Sequence, residues 1–95
     1  AGCAMLVLEC IPRGLAAEVA ANLGIPVIGI GAGARVDGQV LVSYDALGIG
    51  SGRRPRFVRD FLAGSESVDA AVRAFVAAVR ERRFPADDES YADPS

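Results

Sequence analysis

The chain has 95 residues and a mass of 9.8 kDa, which allows one domain at most. Its 52% hydrophobic and 23% charged residues exclude a disordered or fibrous chain, and a net charge of −2 gives no global pull toward nucleic acid. The absence of His excludes Ser-His-Asp, Cys-His and His-ligated metal sites within these residues, and the absence of Lys excludes Schiff-base chemistry.

Ala4-Met5-Leu6-Val7-Leu8 is a continuous apolar run ending at Glu9, the pattern of a parallel strand buried on both faces. Pro12, Leu15, Ala16, Val19, Ala20 and Leu23 recur at three- and four-residue steps, predicting an amphipathic helix over residues 12–23. Gly24 and Pro26 end it. Residues 26–31 read as a second buried strand and residues 32–38 as a loop with an Asp37-Gly38 turn signal. Residues 39–44 read as a third strand, and the glycines at 48, 50 and 52 mark an irregular stretch. Pro55 is expected to open a short helix with Phe57, Val58, Phe61 and Leu62 on one face. Ser65 is the expected N-cap of a last helix, in which Val68, Ala71, Val72, Phe75, Val76 and Val79 form an apolar stripe. Residues 84–95 are acidic and aperiodic, and read as a tail or lid.

This order indicates an α/β fold with parallel strands. Three such strands cannot close a barrel, and the free edge of the first is open to pairing. The expectation is an incomplete (β/α)₈ TIM barrel, of which a full copy takes about 250 residues. Residues 1–83 would supply its C-terminal strands and helices, and residues 84–95 the acidic tail. The start carries no basic n-region, so no signal peptide is read. No apolar run reaches the ~18 residues of a membrane span.

Glu9 is the sharpest candidate for chemistry. It lies at the carboxyl end of a buried-type strand, where barrel active sites sit. Apolar walls there would raise its pKa toward neutrality and suit it to proton transfer at carbon. A Glu that caps the next helix or pairs with an Arg is the structural alternative. Residues 29–34 fit G-x-G-x-x-A, but the next strand follows without room for the helix that a dinucleotide fingerprint needs. Close backbone approach is the better reading of these glycines. Ile30, Val40 and Val42 could wall an apolar pocket or be ordinary core. Asp45 is a second polar candidate, or a loop-bracing Asp. Arg53, Arg54, Arg56 and Arg59 could meet an anion or an interface, or form a solvated face. Cys3 and Cys10 lack metal-ligand spacing and read as buried thiols.

Leu6-Val7-Leu8-Glu9-Cys10-Ile11-Pro12, Ile25-Pro26-Val27-Ile28-Gly29-Ile30-Gly31-Ala32-Gly33 and Asp37-Gly38-Gln39-Val40-Leu41-Val42 closely resemble the ketopantoate hydroxymethyltransferase family, in order and spacing. The resemblance implies a barrel of the phosphoenolpyruvate/pyruvate type in a cytoplasmic homo-oligomer. Its Mg²⁺ would be held by residues of strands that precede this chain. It implies transfer of the one-carbon unit of 5,10-methylenetetrahydrofolate to 3-methyl-2-oxobutanoate, with Glu9 as proton acceptor and Ile30, Val40 and Val42 lining the pocket. No metal ligand is expected within the chain, and neither nucleic acid nor membrane is an expected partner. Tyr44 and Glu89 depart from the family pattern, which often has His at both positions. Two other readings stand beside this one. One is a keto-acid lyase or mutase of the same barrel superfamily, and the other is a non-catalytic fragment that assembles with a partner.

Overall fold

The computed structural model describes residues 2–50 and 54–93. It is a small α/β unit built on a parallel sheet of order β1-β2-β3, with β1 Leu6–Glu9, β2 Val27–Ile30 and β3 Gly38–Gln39. Helix α1, Arg13–Asn22, connects β1 to β2. Helix α2, Ser43–Ala46, follows β3, and α3, Val68–Arg80, leads to a 3₁₀ turn at Asp87–Glu89. Leu6 pairs with Val27 and Glu9 with Ile30, so the carboxyl ends of β1 and β2 are level.

One face of this sheet is covered. Leu6, Leu8, Ile11 and Ala20 pack around the buried Ala16, Val27, Ala32 and Val36. Ala16 and Ala20 bring α1 down on the sheet. The crossover from β2 to β3 contains no helix, and the loop of residues 31–37 places Ala32 and Val36 on the sheet in its stead. Asp37 ties this loop down. Its carboxylate accepts from the Val27 N–H at 2.7 Å, and its own N–H donates to the Val27 carbonyl at 2.9 Å.

The other face is open, which corrects the expectation of a first strand buried on both sides. Val7 is 56% exposed, while Leu6 and Leu8, one residue either way, pack inward. The apolar stripes of the helices are likewise wider than the surfaces beneath them. Leu15 of α1, Leu23 just past its end, and Val68, Val72 and Val76 of α3 remain exposed.

A second cluster joins Phe61, Ala71, Ala78 and Phe84, with Leu41, Leu47, Phe75 and Val79 against it. Phe61 meets Phe75 and Phe84 edge-on, at centroid distances of 5.4 and 5.2 Å. Such pairs add about 0.5–1.5 kcal/mol each beyond area burial.

The third strand is shorter than the 39–44 expected. The Val40 N–H continues the ladder to the Gly29 carbonyl at 3.0 Å, but the chain then turns into α2, whose Ala46 N–H bonds back to the Val42 carbonyl. Among the described residues no fourth strand offers Leu41–Tyr44 a ladder, so helical bonds take its place. No helix opens at Pro55. Phe57 and Phe61 are buried as expected, but Asp60 accepts from the Leu62 and Ala63 amides, and the Phe61 N–H donates to Ala46. These bonds satisfy the backbone locally and compete with helix. The cap of α3 is Ser67, which accepts from the Ala70 N–H at 3.0 Å, whereas the Ser65 hydroxyl donates to the Phe61 carbonyl.

Residues 84–91 are docked against the rest of the chain. Phe84 is in the second cluster, Ser90 is buried, and Tyr91 forms a parallel bridge with Pro12. Phe84→Ala removes two close aromatic contacts and is expected to cost about 3–5 kcal/mol of unfolding free energy. Denaturant titration of the intact protein measures the loss.

Candidate functional site

Side chains alternate across a strand, so the β1–β2 register decides which residues meet. Leu6 and Leu8 face the covered side, and Val7 and Glu9 therefore face the open one. The same parity puts Ile28 and Ile30 beside them, because Val27 is on the covered side. Ile28 pairs with Gly38, and Val40 follows two residues on. Leu41 packs into the Phe61 cluster, and the Val40 N–H still bonds to the Gly29 carbonyl, so Val40 keeps the parity of Gly38. Thus Glu9, Ile30 and Val40 share one face at the carboxyl ends of the strands, whereas Val42 lies past β3 at the start of α2. Val40 and Val42 are 45% and 54% exposed. Glu9 is also exposed, and no ion pair joins it to a described residue. The apolar enclosure expected around its carboxylate is not formed by the described residues alone.

The turn after Glu9 is tight. Cys10 has φ +52° and donates its N–H to the Ile30 carbonyl at 2.9 Å, extending the ladder by one bond past Glu9. A non-glycine residue in this region is strained and persists where its surroundings over-determine it. Both Cys3 and Cys10 are exposed free thiols, which corrects the expectation of burial. Gly31, next to Ile30, has φ +69°, and a Cβ there would stand 2.8 Å from the Phe57 ring. Close approach is therefore what this glycine provides. No helix follows the glycines of residues 29–33, which removes the dinucleotide reading.

The arginines near Pro55 are engaged within the chain. Arg53 lies outside the described residues. Arg54 is 3.8 Å from Asp60. Arg56 lies 5.5 Å from the centre of the Tyr91 ring and donates to the Ser90 carbonyl. Arg59 grips Glu89 with two hydrogen bonds, Nε to Oε2 at 2.9 Å and a second from its terminal amino group to Oε1. The Phe61 and Phe84 rings lie against its guanidinium. Hydrogen bonding to Glu89 raises the Arg59 pKa. Burial would push the Glu89 carboxyl up, but the bonds from Arg59 and the Ala86 N–H, with the Arg59 charge, outweigh it and hold the carboxyl below its usual range. Sequence reasoning missed this pair because its members are 30 residues apart; an Arg and a Glu at that separation carry no pattern.

Asp45 sits in α2 without an ion pair to any described residue. A groove of about 710 Å³ opens elsewhere, between α1 and residues 82–90. Its Arg13, Arg35, Arg82 and Arg83 are only partly offset by Asp87 and Asp93, and the Arg82 guanidinium is held by the Ala34 and Val36 carbonyls. Among the described residues no three His, Cys, Asp or Glu side chains could hold a metal ion, so they do not by themselves fit a magnesium site. No described helix is long and apolar enough to cross a membrane.

Residues 1–87 match the ketopantoate hydroxymethyltransferase family. Three curated relatives carry the name 3-methyl-2-oxobutanoate hydroxymethyltransferase, one of them with the suffix 2. The protein of Xanthomonas euvesicatoria pv. vesicatoria is 55% identical over 93 residues, covering 97% of this chain and 34% of the relative. The suffixed protein of Pseudomonas aeruginosa is 54% identical over 92 residues, covering 96% and 35%. That of Salinibacter ruber is 57% identical over 91 residues, covering 96% and 34%. The chain spans about a third of the length of these relatives.

Gly31→Ala meets both a positive φ and the Phe57 ring, and should cost about 1–3 kcal/mol of stability, measured by denaturant unfolding. The Glu89 carboxyl is lowered on folding, so its contribution is complete above its unfolded value of 4.5. That contribution falls away as pH drops through the lowered folded value. Glu89→Gln lacks this contribution. The stability gap between wild type and variant should therefore hold above pH 4.5 and narrow as the pH is lowered below it, as read by unfolding curves on both sides of that value.

Proposed function

The chain belongs to the ketopantoate hydroxymethyltransferase family, and on that footing we propose that the protein containing it transfers a hydroxymethyl group to 3-methyl-2-oxobutanoate, giving 2-dehydropantoate for pantothenate synthesis. The one-carbon donor in this reading is 5,10-methylenetetrahydrofolate, and the fold is a (β/α)₈ barrel of the phosphoenolpyruvate/pyruvate type. Three features support the barrel: a parallel sheet covered on one face only, an unpaired outer edge on β1 among the described residues, and relatives about three times as long. Further strands beside β1 would turn the open face into a barrel interior, with Glu9 at the carboxyl-end rim where barrel active sites lie.

The observation that carries the chemistry is the pairing of Glu9 with Ile30 at the carboxyl ends of β1 and β2, on the face that also bears Val40. In this reading the Glu9 carboxylate takes the proton from the branched carbon of the keto acid. The electron pair left there forms a carbon–carbon bond to the methylene carbon of the folate. Both carbon–nitrogen bonds of that methylene break, and water supplies the hydroxyl group. The proton from the branched carbon and the remaining proton of water end on the two folate nitrogens, so tetrahydrofolate leaves. Ile30, Val40 and Val42 would wall the branched apolar end of the substrate and keep water from the reacting carbon. Magnesium, held by residues outside this chain, would supply charge stabilisation to the keto acid oxygens.

Glu9→Gln in the intact protein should slow deuterium exchange at the branched carbon of 3-methyl-2-oxobutanoate by about 10²–10⁴-fold, the usual worth of a positioned base. Undiminished exchange would remove Glu9 from this role. Product formation should require methylenetetrahydrofolate.

A further inference from the structure

We infer that Arg59 and Glu89 are a positioning pair for the Glu9 turn, acting through the docked segment of residues 84–91. This inference rests on the reading of Glu9 as the proton acceptor and adds two residues that act through others.

The argument begins at the first turn of α1. Helix starts leave backbone N–H groups without partners, and a Ser, Thr, Asp or Asn side chain ordinarily accepts from them. Here the N-cap is Pro12, and no side chain caps the helix. The Arg13 N–H instead donates to the Tyr91 carbonyl at 2.9 Å, and Pro12 bridges Tyr91. The cap of α1 thus comes from the far end of the chain. It reaches the turn that begins at Glu9, because only Cys10, Ile11 and Pro12 separate Glu9 from Arg13. Cys10 in that turn holds φ +52°, a conformation that needs support from its neighbours.

Tyr91 is held in place by the residues before it. The Ser90 hydroxyl donates to the Ala86 carbonyl at 2.8 Å, and the Ala86 N–H donates to Glu89 at 2.9 Å. Both oxygens of Glu89 are gripped by one edge of the Arg59 guanidinium, which lies 5.0 Å from the Phe84 ring centre and 5.4 Å from that of Phe61. A two-bond Arg–carboxylate contact fixes orientation as well as distance. Arg59 therefore joins the aromatic cluster to the 3₁₀ turn, the turn places Tyr91, and Tyr91 places the start of α1 and the bend behind Glu9. A mere staple of the C-terminal segment would raise overall stability and leave the geometry at Glu9 alone. A positioning pair changes catalysis at constant substrate binding.

The test uses the intact protein with Glu89→Gln, Arg59→Lys and Glu9→Gln. In Glu89→Gln the Arg13 amide should exchange with solvent about tenfold faster, while the Leu6 and Val27 amides keep their protection. The kcat for transfer should fall about tenfold with KM within about twofold, since small misplacement of a reacting group costs rate rather than affinity. Arg59→Lys keeps the charge and loses the fork, and should fall between wild type and Glu89→Gln in both readouts. It carries the test if Glu89→Gln does not fold. Wild-type kcat or an unchanged Arg13 amide in either variant overturns the inference. So does a fall in kcat matched by equally faster exchange at Leu6 and Val27, which is general loosening. Lost substrate exchange in Glu9→Gln with wild-type kcat in Glu89→Gln sinks this inference alone. Unchanged substrate exchange in Glu9→Gln sinks the reading beneath it, whatever the other variants do.

Discussion

The two-residue period of a strand, applied to the register of β1 against β2, is the constraint on which the rest depends. Leu6 opposite Val27 and Glu9 opposite Ile30 sort the side chains of both strands onto two faces at once. A slip of one residue would put Glu9 under α1, among Ala16 and Val36, and turn Leu8 outward. A carboxylate without a partner in that apolar layer would lose its hydration for nothing. The covered face thus holds the register, and the register in turn holds Glu9 on the open face with Ile30 and Val40. Packing on one side of the sheet and the exposure of Glu9 on the other are one arrangement.

The connections serve the same end by unequal means. Between β1 and β2 a helix of ten residues crosses the sheet, as parallel strands usually require. Between β2 and β3 a short glycine-rich loop crosses it, with Ala32 and Val36 as its only inward anchors and Asp37 fastening its end to Val27. The Gln39 side chain reinforces the loop by donating to the Gly33 carbonyl at 2.7 Å. Such a crossover needs Gly31 and Gly33, whose positive φ angles let the chain leave β2 against Phe57 and Arg13. The glycines that imitate a dinucleotide fingerprint are thus the requirement of a loop that takes the place of a helix.

How far the residues announce this varies with the range of the interaction. The strand around Leu6 to Glu9, the helix after Pro12, the strand around Ile28 and the last helix are all legible, because each rests on local periodicity and its own stop signals. Glu9 stands out for the same reason, a charge at the end of an apolar run. Leu41 to Tyr44 misleads, because alternating Val and Leu fit a strand only where a neighbour supplies a ladder. The stretch after Pro55 misleads in the other direction. Its aromatic spacing reads as a helix, yet Asp60 and the carbonyl of Ala46 take the hydrogen bonds that a helix would use. Glu89 looks like a lost His in an acidic tail until Arg59 is seen against it.

By itself, then, the order of residues determined the parallel α/β character, the positions of the two main helices and the family, since local patterns and contiguous motifs carry all three. The tertiary structure alone decided which face of the sheet is open, that Val40 shares it with Glu9, and that Tyr91 returns to cap α1. The physical reason is separation. A helix or strand is chosen by neighbours a few positions apart, whereas an uncovered face, a carbonyl cap on a proline-led helix and an ion pair spanning 30 residues exist only once distant segments meet in space.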